Sequence, residues 1–94
     1  MEINEIIWHY RFVEKLEVKH HVTTDEVEEV LRGRKKVLRV EKGNVEGEDI
    51  YLALGQTDTG RYLAIFFILK ANHDALPISA RDMDQKERRQ YGRK

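Results

Sequence analysis

The sequence predicts a single α+β domain, in which two N-terminal helices pack on a four-stranded antiparallel sheet and a third helix follows at the C-terminus. Helical spacing of apolar residues is confined to positions 9–33, and a capping-box pair marks a polar helix over positions 84–91. Between them, short β-branched and apolar runs alternate with turn residues, a pattern typical of a strand meander. With 94 residues and no proline- or serine-rich linker, the chain is expected to form one domain, residues 1–94.

Two helices are predicted before the first strand. The first covers about His9–Lys19. The second begins at a capping-box pair, Thr23 and Glu26, and ends at Gly33. Each helix has an apolar stripe at helical spacing, which is expected to face the sheet. The residues of the two stripes are Phe12, Leu16, Val27, Val30 and Leu31, with Val13 as a further candidate in the first.

Four strands joined by short turns are predicted to follow. Their approximate bounds are Val37–Val40, Ile50–Leu54, Arg61–Lys70 and Leu76–Ala80. The turns that separate them are Gly43-Asn44, Thr57–Gly60 and Asn72–Asp74. The third strand is apolar on both faces, which predicts a central position, and Gly55 is expected to close the second strand. Pro77 has no N–H to donate to a ladder and therefore predicts an edge strand or a strand start.

The C-terminal helix has a clear start but little apolar surface. Asp84 and Glu87 have capping-box spacing, and the helix is predicted to continue to about Tyr91. Its other residues are polar nearly all round. Such a helix is held weakly by its own domain, so it is expected either to dock through Met83 and Tyr91 or to be ordered by a partner.

Composition excludes several classes of protein. The absence of cysteine excludes disulfides, thiolate catalysis and a cysteine-based zinc site. The first eight residues contain Glu2 and Glu5 and lack the basic and apolar regions of a secretory signal. The longest apolar run, Tyr62–Leu69, is too short to span a bilayer as a helix. A cytoplasmic location without membrane contact is therefore expected.

Charge is balanced overall but is divided unevenly between the two halves. The chain has 17 basic and 17 acidic residues. Residues 1–50 contain 9 basic and 12 acidic residues, a net charge of −3, and residues 51–94 contain 8 and 5, a net charge of +3. Nucleic-acid enzymes usually carry a basic surplus, because phosphate neutralisation dominates their affinity. Here the surplus is local, which argues against RNA as a substrate.

Three stretches of the chain share their order and spacing with a known family. They are Trp8 with Lys19–Leu31, Leu52–Thr57 with Gly60–Leu63, and Ile78–Met83 with Glu87 and Tyr91. Together they resemble the BrnT-type, RelE-like ribonuclease toxins of bacterial type II toxin–antitoxin pairs. His21 departs from the family pattern, since glycine is usual after the Lys-His pair. Phe12 and Leu16 depart as well, since these positions are lysine and asparagine in the family.

The resemblance implies a function. Such a toxin is an endoribonuclease that cleaves RNA without a metal ion or other cofactor, inhibits translation and growth, and is neutralised by a cognate antitoxin. The antitoxin typically binds DNA and represses the shared operon. The assembly that the resemblance implies is a homo-dimer or a toxin–antitoxin hetero-oligomer.

Metal-independent cleavage of RNA uses the adjacent 2′-hydroxyl as the nucleophile. The site then needs a base for that hydroxyl, donors for the charge on the phosphorane, and an acid for the leaving oxygen. Histidine and lysine side chains can transfer the protons, and the arginine fork suits phosphate oxygens. The residues expected to form the catalytic site are Lys19, His20, Arg61 and Arg81.

The C-terminal helix supplies the residues expected to bind RNA. These are Tyr91, Arg88 and Arg89, with Glu87 and Tyr91 as further proton-transfer candidates. A common site requires the four catalytic candidates to converge in one cleft. If Arg61 and Arg81 lie on opposite faces of the sheet, the hypothesis of one common site fails.

Structural interpretations of the same residues remain open. Lys19 and His20 can serve only to meet the last carbonyls of a helix, Arg61 can be a solvated hairpin residue, and the basic tail can be a solvated face. No metal site is predicted, because His20 and His21 are adjacent and point about 100° apart on a helix. The alternative function is a catalytically inactive module that binds an antitoxin or another protein, and a structural or oligomerising domain is a third hypothesis.

Overall fold

The structure is a computed structural model, and it describes residues 1–41 and 48–92. Its helices are α1 (Tyr10–His20), α2 (Thr24–Arg32) and α3 (Gln85–Gly92), and its strands are β1 (Lys35–Glu41), β2 (Asp49–Gln56), β3 (Tyr62–Leu69) and β4 (Ala75–Asp82). The predicted order of elements and the α+β class are confirmed. The predicted turn at Gly43-Asn44 and the last two residues lie outside the described residues. No described helix is long and apolar enough to cross a bilayer.

The four strands form one antiparallel sheet in the order β1-β2-β3-β4. The apolar strand β3 is internal and β4 lies at an edge, as predicted from its proline. Beside Pro77 the β4 register shifts, so that Pro77 pairs with Phe67 and Ser79 pairs with Phe66. Ile78 is therefore an extra residue, which reverses the alternation of side chains along the rest of β4.

The main core lies between the sheet and the two N-terminal helices. All five residues of the predicted apolar stripes are buried there. On the opposite face of the sheet a smaller cluster is formed by Leu52, Leu54 and Ala64, and Met83 and Tyr91 pack against it. The expectation that the C-terminal helix docks through Met83 and Tyr91 is confirmed.

Both predicted capping boxes form. In α2, the Glu26 amide donates to Thr23 Oγ1 at 3.1 Å and the Thr23 amide donates to Glu26 Oε1 at 3.0 Å. In α3, the Glu87 amide donates to Asp84 Oδ1 at 2.7 Å and the Asp84 amide donates to Glu87 Oε1 at 3.0 Å. Each box satisfies amides at a helix start that have no partner within the helix.

Gly55 does not close β2, and this prediction was wrong. The strand continues to Gln56, and Gly55 is buried beneath α2. A Cβ atom at this position would lie 2.8 Å from Val30 Cγ1. Glycine is therefore required here because α2 approaches the strand closely, which a turn signal in the sequence cannot distinguish from a strand end.

His21 ends α1 in a backbone conformation that favours glycine. Its φ is 51° and its ψ is 39°, in the left-handed region, and its amide donates to the carbonyl of Leu16. We expect His21→Gly to raise the free energy of unfolding by about 0.5–1 kcal/mol, because glycine adopts this conformation without steric cost. Denaturant titration at neutral pH measures the change.

The matched control for His21→Gly is His21→Ala, which removes the imidazole and keeps the Cβ atom. It should not stabilise the protein. Equal stabilisation by glycine and alanine would show that loss of the side chain, and not backbone conformation, causes the effect.

Candidate active site

Arg61 lies between the turn and β3, and it joins three elements at one end of the sheet. Its Nε donates to Asp82 Oδ1 at 2.8 Å. Its Nη1 donates to the carbonyl of His21 at 2.7 Å and to Glu26 Oε1 at 3.3 Å. Its Nη2 donates to the carbonyl of His20 at 3.1 Å and to Asp82 Oδ2 at 3.4 Å. We call this group, Arg61 with Glu26, Asp82 and the two carbonyls, the Arg61 clamp.

The Arg61 clamp uses all five N–H donors of the guanidinium. The hydrogen bond from Arg61 holds the pKa of Asp82 below its usual value, and the charges of Arg61 and His20 act in the same direction against partial burial. The same hydrogen bond to Asp82 raises the pKa of Arg61, which stays protonated. The Arg61 clamp therefore has no donor left for a phosphate oxygen. It stabilises the fold, because it joins the end of α1 to α2 and β4.

Lys19 and His20 do not converge on a phosphate site with Arg61. His20 is half-buried, and the clamp holds its backbone carbonyl. Lys19 is exposed and lines an open groove on the outer flank of α1, together with Arg11 and Lys15. Adjacent positions on a helix point in different directions, so the two side chains face different surroundings.

Arg81 lies on the opposite face of the sheet, where it forms a bidentate ion pair. Its Nη1 and Nη2 donate to the two carboxylate oxygens of Glu87 at 2.6 and 2.9 Å. Glu87 is buried, with 8% of its surface exposed, whereas the Arg81 side chain is 37% exposed. The hydrogen bond that Arg81 donates to Glu87 raises the pKa of Arg81. The pair therefore holds the Arg81 guanidinium protonated and in one orientation at the surface.

Two aromatic rings and a second arginine stand at the same end of this face. The Arg88 guanidinium lies 3.8 Å from the centre of the Tyr62 ring. Tyr91 meets Tyr62 edge-on, with ring centres 6.1 Å apart. Arg88 and Arg89 also line an open depression of about 510 Å³ on the exposed side of α3. We call Tyr62, Arg81, Arg88 and Tyr91 the arginine–tyrosine cluster.

Tyr62 is absent from the site residues predicted from the sequence. It stands next to Arg61, so strand alternation places it on the opposite face, the face of Ala64. An aromatic residue at the start of a strand is a weak signal, because most such residues belong to the core. Its role becomes visible only through its contacts with Arg88 and Tyr91.

The predicted catalytic residues do not form one site. Arg61 contacts the helix-covered face, whereas Arg81 pairs in register with Ala64 of the opposite face. Because Arg61 and Arg81 lie on opposite faces of the sheet, the hypothesis of one common site fails. The structure brings together Arg81, Arg88 and Tyr91 of the predicted residues, places Arg89 beside them, and keeps Lys19, His20 and Arg61 apart from them.

The arginine–tyrosine cluster can bind an anion beside a planar group. Its arginines offer donors for phosphate oxygens, and its tyrosines offer ring faces and hydroxyl groups. Single-stranded nucleic acids are bound by this combination of cations and rings. Within residues 1–41 and 48–92 no three His, Cys, Asp or Glu side chains are grouped as metal ligands.

Comparison with known proteins gives one match. The family model described as "Ribonuclease toxin, BrnT, of type II toxin-antitoxin system" matches residues 8–87, a range that includes the Arg61 clamp and, of the arginine–tyrosine cluster, Tyr62 and Arg81 but not Arg88 or Tyr91. No curated protein matches the chain. The family implies RNA as the target and an antitoxin as the partner. The chain belongs to the BrnT family of ribonuclease toxins of type II toxin–antitoxin systems.

Proposed function

We propose that this toxin cleaves RNA without a metal ion, that it stops growth when it is not neutralised, and that the arginine–tyrosine cluster binds the RNA. The observation that carries the proposal is the Arg88 guanidinium stacked on Tyr62 at 3.8 Å, beside the fixed charge of Arg81. Phosphate and base recognition then occur on one small surface.

Local charge answers the objection raised by the neutral composition. Arg81, Arg88 and Arg89 lie on β4 and α3 at one end of the sheet. Of the carboxylates there, Glu87 is buried behind Arg81, Asp82 is paired with Arg61, and Asp84 caps the start of α3. The electrostatic potential at this surface is positive, and it is this local potential, not the net charge of the chain, that attracts the phosphates of RNA.

The chemistry follows from the groups present. The 2′-hydroxyl gives its proton to solvent water and its oxygen bonds to the phosphorus, while the bond to the 5′-oxygen breaks, so that a 2′,3′-cyclic phosphate and a 5′-hydroxyl are formed. Negative charge develops on the non-bridging oxygens during this step. Arg81 is already oriented by Glu87, so it stabilises that charge without a reorganisation step. The hydroxyl of Tyr62 or Tyr91 donates a proton to the leaving oxygen.

Lys19, His20 and Arg61 have no part in this proposal. They were predicted as catalytic residues, but they lie on other surfaces than the arginine–tyrosine cluster. Arg61 acts as a positioning residue, because the end of β4 that it holds through Asp82 also carries Arg81.

Induced expression of the chain in a bacterial host, with and without its antitoxin, tests the proposed function. We expect growth to stop and RNA to be degraded only when the antitoxin is absent. Purified protein should cleave RNA equally well with and without EDTA, since no step uses a metal ion. If well-folded protein leaves RNA intact in both assays, the non-catalytic binding module becomes the better interpretation.

We also infer a cytoplasmic toxin–antitoxin hetero-oligomer whose antitoxin binds operator DNA. Family membership supports this inference, since repression of the shared operon by the antitoxin is typical of such pairs. Light scattering on the co-expressed pair gives the stoichiometry, and a gel-shift assay with upstream DNA tests the binding. A pair that leaves this DNA unshifted contradicts the inference.

A further inference from the structure

The outer flank of α1 carries a groove that the proposed function does not use. Its deeper part, of about 350 Å³, lies between α1 and the first half of β4. Phe12, Leu76, Pro77 and Ile78 form an apolar floor there. We call this groove, with its continuation along α1, the α1 groove.

Cations line the rim of the α1 groove. Arg11 and Lys15 border the deep part, and the continuation of about 300 Å³ adds Lys19, the exposed apolar residue Val18 and one carboxylate, Glu14. The three cations follow one another at four-residue steps on one side of the helix, over about 12 Å. Within residues 1–41 and 48–92, none of the three lies within 4 Å of a carboxylate.

Strand addition does not explain the groove. The β4 edge is already paired at Ala75. The Ala75 amide donates to the carbonyl of Glu5, and the Ala75 carbonyl accepts from the amide of Ile7, each at 2.8 Å. Pro77 has no N–H, and the extra residue at Ile78 distorts the edge. These features block pairing with a further strand, so an occupant must bind through its side chains.

The chemistry of the groove favours a polypeptide over RNA. Its floor is mainly aliphatic, whereas RNA recognition uses stacking rings of the kind found in the arginine–tyrosine cluster. Val18, in the continuation, is 71% exposed, and Ile78, in the deep part, is 37% exposed. Exposed apolar residues grouped along one groove favour a protein contact. Apolar side chains would fill the floor, and carboxylates would meet the unpaired cations.

We propose that the α1 groove is the docking site for an acidic amphipathic helix of the antitoxin. Its apolar side chains fill the space between α1 and β4, and its carboxylates pair with Arg11, Lys15 and Lys19. In a helix that lies along α1, carboxylates placed four residues apart have the same spacing as the three cations of the groove. This inference rests on the proposed function, in which an antitoxin neutralises the toxin.

Two variants test the groove with little risk to the fold. Lys15→Glu reverses an exposed rim charge, and Val18→Glu adds a charge to the exposed apolar strip. Lys86→Glu makes the same charge reversal on an exposed position of α3, outside the groove, and is the matched control. Circular dichroism and thermal unfolding confirm that each variant is folded.

The measurement is the Kd for the purified cognate antitoxin, determined by calorimetric titration. Each groove variant should weaken binding by at least about tenfold, because a like charge replaces an attraction or enters an apolar contact. Lys86→Glu should change the Kd by less than about twofold. RNA cleavage by the groove variants without antitoxin should equal that of the wild type.

Three outcomes would overturn the inference. Unchanged antitoxin binding in both groove variants would show that the helix docks elsewhere. Loss of RNA cleavage with antitoxin binding retained would make the groove an RNA surface. Conversion of a wild-type dimer into a monomer would assign it to a second copy of the chain. If wild-type protein fails to cleave RNA, the proposed function fails, while the Kd comparison still decides the groove.

Discussion

Replacement of Arg61 by alanine is expected to lower the free energy of unfolding by about 2–4 kcal/mol. The change removes charge-assisted hydrogen bonds that join α1, α2 and β4, and it leaves the carbonyls of His20 and His21 without their donor. Asp82 and Glu26 also lose their cation. Urea titration gives the free energy, and an unchanged m-value shows that the unfolding transition remains comparable.

Two further variants separate the geometry of Arg61 from its charge. Arg61→Lys keeps the charge but loses the planar fork, so it should recover only part of the lost stability. Arg39→Ala removes an exposed arginine whose 3.8 Å ion pair with Asp49 lies at the surface, and it should cost less than about 1 kcal/mol. A loss at Arg61→Ala as small as that at Arg39→Ala would mean that the clamp contributes no more than a surface pair.

Replacement of Arg88 by alanine is expected to lower kcat/KM for RNA cleavage by about 100-fold, because the bound phosphate loses a charge-assisted donor on the same surface as Arg81. The logarithm of the RNA affinity should also fall less steeply with the logarithm of the salt concentration, with a slope smaller by about 1. Steady-state cleavage of a short RNA at several salt concentrations measures both quantities.

The structure makes Arg88 a better test than Arg81. Arg88 is exposed and makes no ion pair among the described residues, so its removal should cost only the stacking on Tyr62, about 0.5–1 kcal/mol. Removal of Arg81 would leave the buried carboxylate of Glu87 unpaired and destabilise the fold. Arg39→Ala again serves as the control, because it removes one arginine near the opposite end of the sheet.

Tyr62 separates stacking from proton transfer in the same assay. Tyr62→Phe keeps the ring under Arg88 and removes the hydroxyl, whereas Tyr62→Leu removes both. Equal losses in the two variants assign Tyr62 a role through its hydroxyl, and a larger loss in Tyr62→Leu assigns one through its ring. If Arg88→Ala and both Tyr62 variants cleave RNA like the wild type, the RNA is bound elsewhere.

The two predictions concern opposite faces of one sheet end. On the helix-covered face, Arg61 joins α1, α2 and β4 and contributes stability. On the other face, Arg81 and Arg88 remain accessible and carry the proposed chemistry. Arginine has both roles because its fork can be filled by protein acceptors or left partly free for a ligand.

The sequence by itself determined the elements and their order. Thr23 with Glu26 and Asp84 with Glu87 form capping boxes because the bonds join residues three apart, which any local reading detects. Pro77 predicted an edge strand because its missing N–H is a property of one residue. The family was also recognisable from ordered stretches of sequence, which the family model confirms.

Only the tertiary structure decided which functional residues meet. Ala75 of β4 and, five residues later, Ala80 both face the main core, although regular alternation would place them on opposite faces. The extra residue at Ile78 causes this reversal and turns Arg81 toward Ala64 and α3, away from the face of Arg61. Without that bulge, Arg81 would share the face of Ala75. A bulge depends on how two strands pair, so no pattern within β4 alone could reveal it.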